Sequence, residues 1–407
     1  MSEENRLACD LLVKNARVFD GTTLRKDLSI GITGTKISCV ANSAGKAIQE
    51  IDARGRFLMP GLIDCHIHLL NMWTAKDEAT MAADIANELP KRLNAFLAAG
   101  VTTVKSVGES EDDVLRVRQM LASGALVGPR LYATGPAFAA PDSHPATTVV
   151  GQNPWLRNRT VVETDSPQKA REAVKRLAEK KVDAIKIVHE GGCRHGAPYF
   201  MKIDVLGVNV QILRLEKAVL EAIIDEAHKH GLKATVHTVN EEAAIEALEA
   251  GANGLEHGIL EHEMSGDRVI ELLLRNDASY VPTLWLLAVD EKPAEARYGN
   301  LKRVANSGVR VALGTDSFCG FGSFGENTIV EAERSVAAGI APQKVLEMAT
   351  KNAGLHLGND ALGMIAPGRI ADLIIVDGDP TTNIGDLRNV AMVIKDGKIQ
   401  IDKMRKD

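Results

Sequence analysis

Along the middle of the chain, short apolar runs alternate with longer stretches whose apolar residues recur at helical spacing. Eight of the runs read as strands: Ile63–His68, Val101–Ser106, Arg130–Gly135, Asp183–Val188, Leu232–His237, Gly254–His257, Ser279–Leu284 and Arg310–Thr315. Segments between them, such as Ser166–Lys180, Glu216–His230 and Glu241–Ala250, read as amphipathic helices. Eight such alternations over about 250 residues predict an α/β fold, a closed (β/α)8 TIM barrel. A doubly wound open sheet is the alternative. Ala137–Asp165 reads as one long loop, expected to cover a site.

Both ends of the chain differ from this middle. LLVKNARVFDGTTLRKDLSIGITGTKISCV and GRIADLIIVDGDPTTNIGDLRNVAMVIKDGKIQ are β-rich runs broken by Gly, Asp and Asn, and KDGK is an Asp-Gly hairpin signal. The two ends are expected to join in one small β-sandwich domain, residues 1–58 plus 364–407, beside a barrel at 59–363.

Composition narrows the function classes. Hydrophobic residues make up 45%, enough apolar surface to offset the entropy of folding. The formal net charge is −6 and no long basic run occurs, which argues against binding a nucleic-acid backbone. No apolar run approaches the roughly 18 residues that span a bilayer, and the polar start MSEENRLACD carries no secretion pattern. Cys9, Cys39, Cys65, Cys193 and Cys319 are odd in number and widely spaced, so neither a disulfide framework nor a CxxC clip is indicated. Free thiols, each read as a small buried hydrophobe, fit a reducing cytoplasm.

A barrel places its chemistry at the C-terminal ends of its strands. His66 and His68 finish the first predicted strand, and His237 and His257 end the fifth and sixth. Asp316 follows the eighth, and Lys186 sits inside the fourth. Singly, each has an ordinary reading: a core histidine, a helix-capping aspartate, a snorkelling lysine. Together, four imidazoles and a carboxylate converge on one mouth, and burying them without a cation would leave many polar atoms to satisfy. His189 falls on the face opposite Lys186 by strand parity, and Glu190 beside it is either a rival ligand or a loop residue.

The pattern H-x-H, Lys, His, His and Asp on these strands resembles the amidohydrolase superfamily. PGLIDCHIHL, LGTDS and ATKNAGLHLG followed by GMIAPGRIADLIIVDGDP agree with it. Within the superfamily the chain is most similar to the imidazolonepropionase-related and prolidase-like branch. The resemblance implies a binuclear hydrolase with zinc, or manganese, cobalt or nickel, as the metal. His66, His68, Lys186 and Asp316 would hold one ion, and Lys186, His237 and His257 the other. Lys186 would be carboxylated by CO2 so that its carbamate bridges the ions. A bridging hydroxide would attack, Asp316 would shuttle its proton to the leaving nitrogen, and His144 in PDSHPATT would bind the carbonyl oxygen or oxyanion.

The implied reaction is hydrolysis of an amide or peptide-like C–N bond, of dipeptide or N-acyl amino acid type. Lactone, carbamate or ester hydrolysis is the alternative; a deaminase or imidazolonepropionase-like activity and a non-catalytic scaffold are the other readings. Deaminases and imidazolonepropionase share an H-x-x-E on the fifth strand without the bridging Lys, whereas here the segment is His237-Thr238-Val239-Asn240. Val239 also stands where many prolidase-like relatives carry a Tyr. Substrate contacts are expected from Asn71 and Trp73 after the first strand, from Arg194, His195 and Tyr199 after the fourth, and from Ser317 and Phe318 after the eighth. Arg194 could grip a carboxylate or simply lie in solvent. The expected partners are a small-molecule substrate and further copies of the chain in a homo-oligomer, with no nucleic acid and no membrane.

Overall fold

A computed structural model of the chain describes residues 9–42, 45–71, 74–192, 200–203, 208–288 and 294–404. Eight parallel strands form the barrel: β1 (Leu62–Ile67), β2 (Val101–Ser106), β3 (Arg130–Ala133), β4 (Ala184–Val188), β5 (Lys233–His237), β6 (Gly254–Glu256), β7 (Ser279–Val281) and β8 (Arg310–Val311). β1 to β3 pair in order, as do β4 to β8. Hydrogen bonds join the two arcs at both seams. At one, Asp183 N donates to Ala133 O (2.8 Å), and a short strand at Ala137–Ala139 pairs with β4. At the other, Cys65 N donates to Leu313 O (2.9 Å), Asp316 N to His66 O (2.7 Å) and His68 N to Ser317 O (2.8 Å). The ring is therefore closed, and the open-sheet alternative is set aside.

The helices follow their signals. Ser166 accepts from Lys169 N to start Pro167–Glu179, and Asn240 accepts from Ala243 N to start Glu241–Glu249. Apolar positions of Lys217–Lys229 (Val219, Leu220, Ile223, Ala227) are buried against the strands. No described helix is long and apolar enough to cross a membrane.

Two sequence expectations need correction. Strands β6, β7 and β8 stop earlier than their apolar runs. His257 and Thr283 follow β6 and β7 with φ of 68° and 48°, a left-handed backbone that cannot continue a ladder, and Asp316 beyond β8 has φ of 60°. The stretch 137–165 is also not one loop. It holds the strand Ala137–Ala139, a helix Pro154–Thr160 capped by Asn153, and the strand Val161–Glu163. Arg157 fastens it by bonding Asp142 Oδ1 (2.6 Å) and Glu163 Oε1 (2.7 Å). Pieces this short carry too few residues to show a period.

The chain's two ends build one eight-stranded sheet. Cys9–Phe19, Leu24–Thr33, Lys36–Ala41, Ala47–Asp52 and Phe57–Pro60 join Leu373–Val376, Val390–Lys395 and Lys398–Asp402. Phe57–Pro60 is the joint, paired with Cys9–Phe19 on one side and Leu373–Val376 on the other. The sheet curls until Ile37 N reaches Arg369 O (2.9 Å), enclosing Val13, Ile30, Ile32, Leu373, Ile375 and Ile394. The Asp-Gly signal is a two-residue hairpin turn with both residues at positive φ. A Cβ at Gly397 would sit 2.1 Å from Gly34 O, so only glycine fits there.

Two buried carboxyls hold the seam and its neighbouring loop. Asp64 on β1 is fully buried. Its Oδ1 accepts from Thr315 N (3.0 Å) and His66 N (3.3 Å), and its Oδ2 from Thr315 Oγ1 and Thr328 Oγ1 (both 2.9 Å). Glu331 on the helix Glu326–Ala337 accepts from Trp285 N (2.5 Å), pinning the loop after β7. Burial pushes the Glu331 carboxyl up to about 8 against the bonds from Leu284 and Trp285.

Asp64→Ala leaves four donors without their acceptor and is expected to cost about 3 kcal/mol of stability, read by urea unfolding. Between about pH 4.5 and 8 the folded chain keeps the Glu331 proton that the unfolded chain has released, so this residue's contribution falls as pH rises. Glu331→Gln keeps an acceptor for Trp285 N without titrating. It should therefore gain on the wild type between pH 5 and pH 8; equal unfolding midpoints at both pH values would show that Glu331 is ionised throughout.

Candidate metal centre

The strand ends deliver five predicted side chains to one place. His66 lies on β1 and His68 just beyond it, His237 ends β5, and His257 and Asp316 follow β6 and β8. Asp316 Oδ1 is 2.9 Å from His68 Nε2 and 3.3 Å from His66 Nε2, and its Oδ2 is 4.0 Å from His257 Nδ1. The rings follow one another around the mouth. Centroids are 5.6 Å apart for His66–His68, 4.8 Å for His66–His257, 4.3 Å for His237–His257 and 5.0 Å for His237–His144. Two sets of three, His66 with His257 and Asp316, and His144 with Glu190 and His237, keep their ligand-type atoms within 4.8 Å of one another.

Lys186 sits within β4, in register with Thr235 two residues before His237. Its side chain is buried, and Nζ has no hydrogen-bond partner. Burial pulls its amine down to about 8, although Glu256 and Asp316 oppose the shift. The amine is therefore much closer to its uncharged, nucleophilic form than an exposed lysine.

Burial favours the neutral form of three of the imidazoles. Burial depresses His68, His237 and His257, the last two well below the ordinary range, so their lone pairs are available to a cation. Burial alone would raise the Asp316 carboxyl; His66, His68 and His257 hold it well below the usual carboxylate range instead.

Each wall of the site fixes an imidazole by its other nitrogen. His66 Nδ1 is 2.7 Å from Glu256 Oε2, His257 Nδ1 is 2.7 Å from Thr283 Oγ1, and His237 Nε2 is 2.6 Å from Glu190 Oε2. An ionised carboxylate partner fixes the proton on the nitrogen it faces, and each of these contacts orients its ring. His144 is likewise held by Thr148 Oγ1 at 2.5 Å, and burial lowers it to about 4.

The other expected residues fare differently. His189 is buried and turned away, its Nε2 2.8 Å from Glu246 Oε2 on the helix Glu241–Glu249. Ser317 is buried at the β1–β8 seam, its hydroxyl 2.6 Å from Thr315 Oγ1 and accepting from Asn327 Nδ2 (3.0 Å). Asn71 bonds Thr74 Oγ1 (2.6 Å). Phe318 packs edge-on against Trp285 (5.8 Å) and Phe321 (5.1 Å), an aromatic wall on the loops after β7 and β8. Trp73, Arg194, His195 and Tyr199 lie outside the described residues.

Sequence reasoning missed Glu256, Thr283, Thr148, Lys105 and His356, and left the place of Glu190 open. The available signal was charge in the wrong setting: Lys105 inside the apolar run VTTVKS, and Glu256 beside His257 in a short buried strand.

Known proteins resemble this chain along most of its length. A family model described as the amidohydrolase family matches residues 57–400. Ochratoxinase from Aspergillus niger is 26% identical over 384 residues, spanning 84% of this chain and 75% of that protein. An imidazolonepropionase from Shouchella clausii is 25% identical over 433 residues, spanning 94% and 86%. Among solved structures, a Xaa-Pro dipeptidase with bound methionine in its active site matches with a TM-score of 0.78 at 25% identity, covering 96% of this chain and 99% of that one.

Proposed function

Because the chain belongs to the amidohydrolase family, we propose that it is a metal-dependent hydrolase that cleaves an amide or peptide-like C–N bond of dipeptide or N-acyl amino acid type. The observation that carries this reading is Lys186: a buried amine whose Nζ has no hydrogen-bond partner and whose charge acts on His68, His237, His257 and Asp316. A bare ammonium at that spot would repel cations, whereas its carbamate would be an anionic oxygen ligand. The donor set fits two divalent ions, with zinc favoured by imidazole and carboxylate ligands. His66, His68, Asp316 and carboxylated Lys186 would hold one, and His237, His257 and the same Lys186 the other. When bound, such ions supply Lewis acidity, lowering the pKa of water towards about 7 and polarising a carbonyl.

The chain's own groups do the rest. Asp316 is ionised and its side chain is 15% exposed, so it can take a proton from the attacking water and hand it to the leaving nitrogen. With the Thr148 hydroxyl as donor to His144 Nδ1, Nε2–H would be left to donate to the developing oxyanion. The names of the similar proteins, an ochratoxinase and a Xaa-Pro dipeptidase, support C–N bond hydrolysis. The imidazolonepropionase-like reading is disfavoured by Asn240, whose side chain caps the helix Glu241–Glu249 where the H-x-x-E pattern needs a carboxylate. Val239 is buried and brings no hydroxyl to the carbonyl, which leaves that role to His144.

Chelator-stripped protein should lose hydrolysis of N-acyl amino acids and dipeptides, and regain it with zinc, manganese, cobalt or nickel plus bicarbonate. Carbon-13 bicarbonate should give a carbamate signal by NMR in the wild type and none in Lys186→Ala. Asp316→Asn should lower kcat roughly 100- to 10,000-fold. A Lys186→Ala enzyme with two metals and full rate would refute the bridging role, and wild-type turnover confined to lactones or carbamates would move the substrate class.

A further inference from the structure

Beneath the candidate metal centre lies a second charged cluster. Lys105 on β2 is buried and donates to Glu256 Oε1 on β6 (2.7 Å) and to His356 Nε2 (2.7 Å). His356 ends the short helix Lys351–His356, which leads the chain out of the barrel towards the curled sheet. Glu256 Oε2 in turn takes His66 Nδ1 at 2.7 Å. The cluster thus links β2, β6 and the exit helix to a single imidazole on β1. Lys105 and His356 also line a small cavity with Tyr132, Lys233 and Thr235.

A buried Lys–Glu pair is an expensive way to fill space, because both ions lose their hydration and apolar residues of similar volume pack as well or better. The position of this one gives it a use. The Glu256 carboxylate has its first oxygen saturated by Lys105, so its second is fixed towards His66. As an acceptor it would keep a proton on Nδ1, so that Nε2, the nitrogen facing Asp316 at 3.3 Å, can offer its lone pair to a cation. The negative charge also makes that lone pair more basic.

We infer that Glu256, held by Lys105 and His356, is a positioning residue that sets the tautomer, aim and donor strength of His66 for the metal. This inference rests on the metal-centre reading above. It assigns a task to three buried polar groups that the proposed hydrolysis does not use.

The test is zinc affinity by competition with a chromophoric chelator, alongside the melting temperature of metal-free protein, for wild type, Glu256→Gln, Lys105→Met and the double variant. Each single change strands one buried charge and lowers the melting temperature. The double change removes both charges and should recover most of that loss. Zinc affinity should fall roughly 10- to 100-fold in Glu256→Gln and stay down in the double variant. That split is the diagnostic, since a purely structural cluster would restore affinity together with stability. Affinity that returns to the wild-type value in the double variant, or never falls in Glu256→Gln, overturns the inference while leaving the metal centre standing. If Glu256→Gln alone does not fold, the double variant carries the test. Wild-type protein that binds no zinc overturns the metal reading and this inference with it.

Discussion

The seam between the last barrel strand and the first is the constraint on which the site depends. Asp316 and His66 are 250 positions apart in sequence, yet a backbone hydrogen bond from one to the other sets their separation. Asp64 locks the same junction by gathering Thr315 and Thr328 onto β1. The alignment of β8 on β1 therefore decides whether a carboxylate meets the two histidines of the H-x-H pair. Ring closure in this protein is also assembly of the candidate ligand set.

That assembly works against stability. Several imidazoles, an amine and a carboxylate are taken out of water together, and burial favours the neutral form of His68, His237 and His257. His257, Thr283 and Asp316 add left-handed backbone at non-glycine residues around one mouth. Local strain and desolvation concentrated at a single spot, within a barrel otherwise packed with Val, Leu, Ile and Ala, mark the place where function overrides folding.

Much of this was legible from residues alone. Period and strand-end chemistry located His66, His68, Lys186, His237, His257 and Asp316, because ligands on strands inherit the regularity of the sheet. The groups behind them were not legible, and the reason is geometric. Alternation places neighbours on opposite faces, so Glu256 and His257 should not both reach the interior. The left-handed turn at His257 breaks that alternation, and no local pattern announces it. His356 lies on a six-residue helix, too short to show a period, and its partner Lys105 is 251 positions away. Ser317, read as a candidate substrate contact, was a residue whose neighbours only the closed ring reveals.

The way the curled sheet is attached bears on how the molecule can be divided. Phe57–Pro60 runs through Gly61 straight into β1, and a Cβ at Gly61 would strike Thr102 Oγ1 at 2.2 Å. Arg130 at the start of β3 grips Asp372 (3.2 Å) and Asp396 (2.5 Å) of the terminal segment, and Gly61 N bonds Asp372 O (2.9 Å). A catalytic fragment cut free of its terminal strands would lose the floor under β1 to β3 as well as its appendage. Shuffling this barrel between proteins would require carrying both chain ends along as one inseparable cassette.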